Sequence, residues 1–178
     1  MPSNSSSPNA DDKKRRRRSD YPFFLSYRTR WSDNDQYAHV NNAVYYHLFD
    51  AIVNTYLIQH CGLSPAGPTR TDSGTDSDGD QIGLVVSSFC EFFSPLSFPD
   101  VLDLGLRVAR LGKSSVTYEV GVFKSLGGDG TSGSEDAPAA VGGYTHVFVD
   151  KHSRTSVAMH AQTRVGLEKL ATVTHAKL

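Results

Sequence analysis

Between Val40 and Leu57 the apolar residues fall into two adjacent helical rows, and this run restricts the fold more than any other stretch. Val40, Val44, Leu48, Ile52 and Tyr56 form one row, and Tyr45, Phe49, Val53 and Leu57 form the next. Only His47, Asp50 and Asn54 make a polar stripe. A helix this apolar is one that other elements wrap, rather than one lying on a surface. Cys61-Gly62 marks its end, with glycine where a left-handed cap would sit. Asn41 and Asn42 suit its start, because asparagine caps the first backbone N–H groups, which lack intrahelical partners.

The remaining periodic sequence is strand. Tyr21 to Trp31 is rich in Phe and Tyr and alternates with Arg28 and Arg30, a first strand. Ile82 to Phe93 is a long β-rich run stopped by Pro95. Leu102, Leu104, Leu106 and Val108 alternate with polar or small residues, and so do Val116, Tyr118, Val120 and Val122. The Gly112-Lys113-Ser114 turn joins these two runs as a hairpin. Tyr144 to Asp150 gives a further strand, and Ala161 to Ala171 a short helix. One sheet with one helix to cover predicts an α+β fold, a curled antiparallel sheet round the helix. Such a sheet leaves exposed edges, and pairing them between subunits removes them, so a homo-oligomer is expected.

At 178 residues and 38% apolar content, the chain reads as one domain with appendages. Residues 1–20 read as a disordered Ser- and Arg-rich tail, 21–171 as the domain and 172–178 as a C-terminal tail. Within the first tail, the basic run Lys13 to Arg18 reads as solvated; a nuclear import signal and an anionic-surface patch are the sharper alternatives. Ser64 to Asp80 and Gly127 to Ala139 are Gly-, Ser- and acid-rich and read as loops. The aspartates of the first, Asp72, Asp76, Asp78 and Asp80, lack a glycine-centred calcium loop closed by Glu. The net charge of −1 argues against a nucleic-acid partner. No apolar run reaches the roughly 18 residues of a membrane span, and no secretory h-region is expected. Two cysteines, Cys61 and Cys90, fit a reducing compartment. Ala176-Lys177-Leu178 varies on the peroxisomal address S-K-L, so peroxisome is expected ahead of cytoplasm.

The chemistry concentrates in W-S-D-N-D-Q-Y-A-H-V-N-N, Trp31 to Asn42. Asp33 and Asp35 are two residues apart, His39 follows four beyond Asp35, and the two asparagines open the helix. A carboxylate is thereby delivered beside unpaired N–H donors at the positive end of a helix, a place to polarise a carbonyl. Asp33 reads as a turn acceptor, and Asp50, on the polar stripe, as solvated or subunit-facing. His39 reads equally as a structural hydrogen-bonder and as a member of the site.

These residues, with Ala43 to Tyr46 continuing the motif, resemble the signature opening the hotdog-fold acyl-CoA thioesterases of the 4-hydroxybenzoyl-CoA thioesterase-like branch. Further matches are Cys90-Glu91-Phe92 before Pro95-Leu96, and Leu111-Gly112-Lys113-Ser114-Ser115 at a hairpin turn. The resemblance implies a hotdog fold of five or six strands round one central helix, as a homodimer or homotetramer with active sites between subunits. It implies hydrolysis of an acyl-CoA thioester without metal or other cofactor. By position Asp35 matches the catalytic carboxylate, acting as nucleophile or general base, and Asn42 the residue whose backbone N–H receives the oxyanion, with His39 beside them. Val40, Asn41 and Tyr46 fall at substrate-binding positions, and Lys113, Ser114 and Ser115 at a turn suited to coenzyme A phosphates. The chain departs from the family at Ala38, where glycine is usual; glycine allows close or left-handed backbone freely, so the alanine bears on the loop geometry and substrate fit but not on the fold. Hotdog hydratases set Asp and His five residues apart, whereas Asp35 and His39 are four apart, which favours hydrolysis. A non-catalytic acyl-binding protein of the same fold is the remaining alternative, separated from an enzyme by assay.

Overall fold

The computed structural model describes residues 10–64, 81–125 and 136–171. Its frame is an antiparallel sheet of β1 (Phe23–Arg28), β2 (Gln81–Phe92), β3 (Val101–Leu111), β4 (Ser115–Lys124) and β5 (Ala140–Asp150), in the spatial order β1-β3-β4-β5-β2. The hairpin expected at Gly112 to Ser114 joins β3 to β4, with Gly112 N–H donating to the Ser115 carbonyl at 2.8 Å. The first strand is shorter than its sequence pattern: Tyr21 precedes it, and Trp31–Asp33 is a 3-10 turn.

The alternation read from sequence sorts the sheet's two faces. Leu102, Leu104, Leu106 and Val108 from β3, and Val116, Tyr118, Val120 and Val122 from β4, meet Tyr45, Leu48, Phe49, Ile52, Val53, Tyr56 and Leu57 of helix α2 (Asn42–His60) in one core. Gly142 lets this helix approach: a Cβ there would lie 2.4 Å from the Phe49 ring. Gly62, at φ 75°, ends the helix as expected. A short helix, α3 (Ala161–Glu168), packs at the C-terminal end of α2, where Tyr56 donates its hydroxyl to the Gly166 carbonyl at 2.7 Å.

Two expectations are corrected. Helix α2 is not wrapped on all sides within one chain, because Tyr46, His47, Asp50, Asn54 and Ile58 are exposed and only the opposite face is buried. Residues 10–20 are also not a disordered tail. Helix α1 (Ala10–Lys14) and a 3-10 turn at Arg18–Asp20 lie as a strap across the outer face of the sheet, away from α2. Arg16 donates to both oxygens of Glu119, at 2.8 and 3.2 Å, and Glu119 is only 2% exposed. Arg107 lies 3.7 Å from the same carboxylate, and the Tyr21 hydroxyl donates to it at 3.3 Å. Lys13 pairs with Glu91 and stands over the Phe89 ring, and Arg18 bonds Asp103 at 2.8 Å and stands over Phe123. The physical reason is that a carboxylate placed on a sheet face needs cationic partners, and the basic run supplies them. The inserts at 65–80 and 126–135, and the C-terminal tripeptide, lie outside the described residues.

Candidate active site

The motif loop grows out of β1. Thr29 N–H donates to the Asp100 carbonyl at 3.0 Å, and the chain then turns through Trp31–Asp33. Asp33 is buried in that turn, where its Oδ2 accepts from the Arg30 N–H at 2.7 Å and the Tyr27 hydroxyl at 3.0 Å. Its carbonyl accepts from Asn41 N–H at 2.8 Å, which ties the start of α2 back to the turn.

Between these anchors Asp35 organises a closed loop. Asp35 N–H donates to the His39 carbonyl at 2.7 Å, and its Oδ1 accepts from the backbone N–H groups of Tyr37 at 2.8 Å and His39 at 3.2 Å. Ala38 N–H donates to the Asp35 carbonyl at 3.2 Å. The reversal requires φ 61° at Ala38, the position where the resemblance expects glycine. From outside, Val40 N–H donates to the Leu96 carbonyl at 2.7 Å, and Asn34 Oδ1 accepts from Phe98 N–H at 3.1 Å. One carboxylate oxygen is thus spent on orientation, while Oδ2 has no protein partner among the described residues.

The helix start supplies the complementary group. Asn41 is the N-cap, its Oδ1 accepting from Ala43 N–H at 3.0 Å and its carbonyl from Val44 N–H at 2.9 Å. That leaves the Asn42 N–H, at the first helical position, as the donor without an acceptor among the described residues. A surface depression of about 270 Å³ opens over the loop, lined by Trp31, Asn34, Asp35, Gln36 and Ala38. Trp31 is 78% exposed and stands edge-on to Phe98, with ring centres 5.9 Å apart.

The other predicted residues separate. His39 is exposed, and it is its backbone that brackets Asp35. Val40 is 3% exposed and belongs to the core rather than to the depression. Tyr46 is 41% exposed on α2, edge-on to Phe49. Lys113, Ser114 and Ser115 form the far turn, where a depression of about 450 Å³ is lined by Leu111, Gly112, Lys113, Ala158, Met159 and Arg164. The motif loop sits at the Val101 end of β3 and this turn at its Leu111 end. Its 11 residues, at about 3.3 Å each, put the two regions about 30 Å apart in one chain.

Some groups were not legible in the sequence. Arg164 joins Lys113 in that depression and donates to the Gly112 carbonyl at 2.9 Å. Asp50 lies beside Tyr144 and His146 of β5; burial first, then Asp50, holds the Tyr144 phenol well above its ordinary value. Burial lowers His146 to about 4, partly offset by Asp50. These partners are some fifty or more residues away in sequence, and no local period connects them. Burial also pushes the Cys61 and Cys90 thiols up to about 11 and about 12, so neither is a thiolate nucleophile at neutral pH. Among the described residues no three His, Cys, Asp or Glu side chains gather as a metal site.

Comparison with known proteins gives a consistent outcome. Residues 37–130 match the Thioesterase superfamily. The crystal structure of the PA5185 protein from Pseudomonas aeruginosa is 43% identical, covers 88% of this chain and 96% of its own, and superposes with a TM-score of 0.74. Slr0204, a 1,4-dihydroxy-2-naphthoyl-CoA thioesterase from Synechocystis, is 15% identical over 83% of this chain and 96% of its own, with a TM-score of 0.66. SAV2348 of Staphylococcus aureus, solved in complex with CoA, is 17% identical over 85% of this chain and 87% of its own, at 0.65. No curated protein matches the chain.

Proposed function

Because this chain belongs to the thioesterase superfamily and is a thioester hydrolase of hotdog fold, we propose that it cleaves acyl-CoA at the Asp35 loop. The observation that carries this reading is the pairing, in one hydrogen-bonded loop, of a carboxylate with a vacant oxygen and a helix-start N–H with no acceptor. The Asn42 N–H receives the thioester carbonyl oxygen as it becomes an oxyanion, helped by the helix dipole. Asp35 Oδ2 attacks the carbonyl carbon or takes the proton of an attacking water. The tetrahedral intermediate then collapses, the C–S bond breaks, and coenzyme A leaves as its thiol once a proton returns to sulfur. Where Asp35 itself attacked, a water then hydrolyses the Asp35–acyl anhydride to the free acid and restores the carboxylate.

The substrate class is supported by the cationic turn. Lys113 and Arg164, with the hydroxyls of Ser114 and Ser115, suit the phosphates of coenzyme A. A separation of about 30 Å along β3 means that one chain does not bring its own turn to its own Asp35. A second copy, paired antiparallel through the exposed edge strand β2, reverses the strand direction and supplies the missing half. The active unit is therefore proposed to be a homodimer, alone or within a homotetramer.

The test is thiol release from a panel of acyl-CoAs by the parent and three carboxylate variants. Asp35→Asn keeps size and much of the hydrogen bonding, and is expected to cut turnover by roughly 10²- to 10⁴-fold with binding little changed. Asp33→Asn is a structural control and Asp50→Asn a positional one, both retaining most activity wherever melting shows a folded protein. A folded Asp35→Asn at near-parent rate, with Asp50→Asn dead, would move the catalytic acid onto α2.

A further inference from the structure

The outer-face strap carries a feature that hydrolysis does not use: four arginines, Arg15 to Arg18, run directly into the exposed Ser19. We propose that Ser19 is a phosphorylation site for an arginine-directed protein kinase, and that its phosphate is a latch holding the strap off the sheet. The proposal stands independently of the catalytic assignment.

The recognition side is charge chemistry. A substrate groove lined with carboxylates takes guanidinium groups two and three residues before the acceptor hydroxyl, and Arg17 and Arg16 occupy those places. In the docked state Arg16 is committed to the buried Glu119, and Arg18 to Asp103 and the Lys124 carbonyl. A kinase therefore meets its determinants only in the fraction of molecules whose strap has lifted, and its rate scales with that fraction.

The latch follows from what surrounds Ser19. The Arg18–Asp20 turn is built on two carboxylates: Asp20 Oδ2 accepts from Arg17 N–H at 2.8 Å, and Asp136 Oδ1 from Arg18 N–H at 3.2 Å. Asp136 also lies 3.8 Å from the Arg17 guanidinium. A phosphate of charge near −2 on Ser19 repels both carboxylates and competes for Arg17 and Arg18, so redocking is opposed. The transfer itself is ordinary: Ser19 Oγ attacks the γ-phosphorus of MgATP, the bond to the bridging oxygen breaks, ADP leaves, and the hydroxyl proton passes to the kinase base.

The test uses the full-length protein with the catalytic subunit of cyclic-AMP-dependent protein kinase and ATP, read by intact mass and fragment mapping. One phosphate is expected on Ser19, absent from Ser19→Ala. Glu119→Gln, which loosens Arg16, is expected to speed labelling on the order of tenfold. Asp103→Asn, at the surface end of the strap, gives a smaller increase and serves if Glu119→Gln does not fold. The phosphorylated protein is expected to melt lower than the parent by about 4 °C. No label on Ser19 in any of these proteins, or label on other serines alone, overturns the site. Label on Ser19 with unchanged melting, and with equal rates in parent and loosened variants, overturns the latch.

Discussion

Ala38 holds φ 61° at the tip of the loop that aims Asp35, a conformation an L-residue enters at a cost of roughly 1–2 kcal/mol. Ala38→Gly relieves it but adds unfolded-state entropy worth about 0.4–1 kcal/mol, so melting is expected to stay level or rise slightly. A clear fall in melting temperature would show that the loop is not strained there. Asn41→Ala, which removes the N-cap, is expected to cost about 1 kcal/mol in chemical denaturation, whereas Asn42→Ala costs little because its proposed role is main-chain. The sequence offered both asparagines as caps; the bond from Ala43 N–H to Asn41 Oδ1 decides between them, and no local pattern distinguishes the two. His146 sets a pH dependence whose sign follows from its lowered value. Unfolded, it binds a proton near pH 6.5; folded, only near about 4, so stability is complete above about pH 6.5. It then falls as pH drops toward about 4, by up to roughly 3 kcal/mol, and His146→Gln should flatten that part of a melting-versus-pH curve.

At the scale of elements, the strap is the largest departure from what local sequence reveals. Period-2 and period-3.6 patterns made β3, β4 and α2 legible, because their partners face one common core. Nothing local announces that Arg16 meets Glu119, 103 residues on, or that six consecutive cations divide between ion pairs and solvent. The consequence for stability is direct. Removing residues 1–19 leaves the Glu119 carboxylate, 2% exposed, with Arg107 at 3.7 Å and the Tyr21 hydroxyl as its remaining partners. The truncated protein is expected to lose about 2–4 kcal/mol in urea denaturation, and Arg16→Ala a large share of it. An unchanged midpoint would mean that the strap contributes nothing beyond its contacts with water.

At the scale of the whole molecule, the sheet ends in an edge that a lone chain leaves uncovered. Leu84, Val85 and Val86 on β2 are 36%, 54% and 59% exposed, an apolar edge of the kind that proteins otherwise charge, shorten or pair. Val85→Lys is expected to shift the assembly toward monomer in light scattering and to lower activity in parallel, since Lys113 and Asp35 then stay at opposite ends of β3. A monomeric variant with full turnover would separate assembly from catalysis. The half-bare helix α2 belongs to the same account: its apolar character is legible in the sequence, but a single chain covers only one side.

Trp31 is the one tryptophan of the chain, and it stands on the rim of the depression that contains Asp35. Its indole, mostly in water, should emit at long wavelength, and an acyl group settling against it should shift that emission to the blue and shield it from dissolved quenchers. Occupancy of the loop can therefore be followed optically, without label and without turnover, including in an Asp35→Asn protein that binds substrate but barely hydrolyses it.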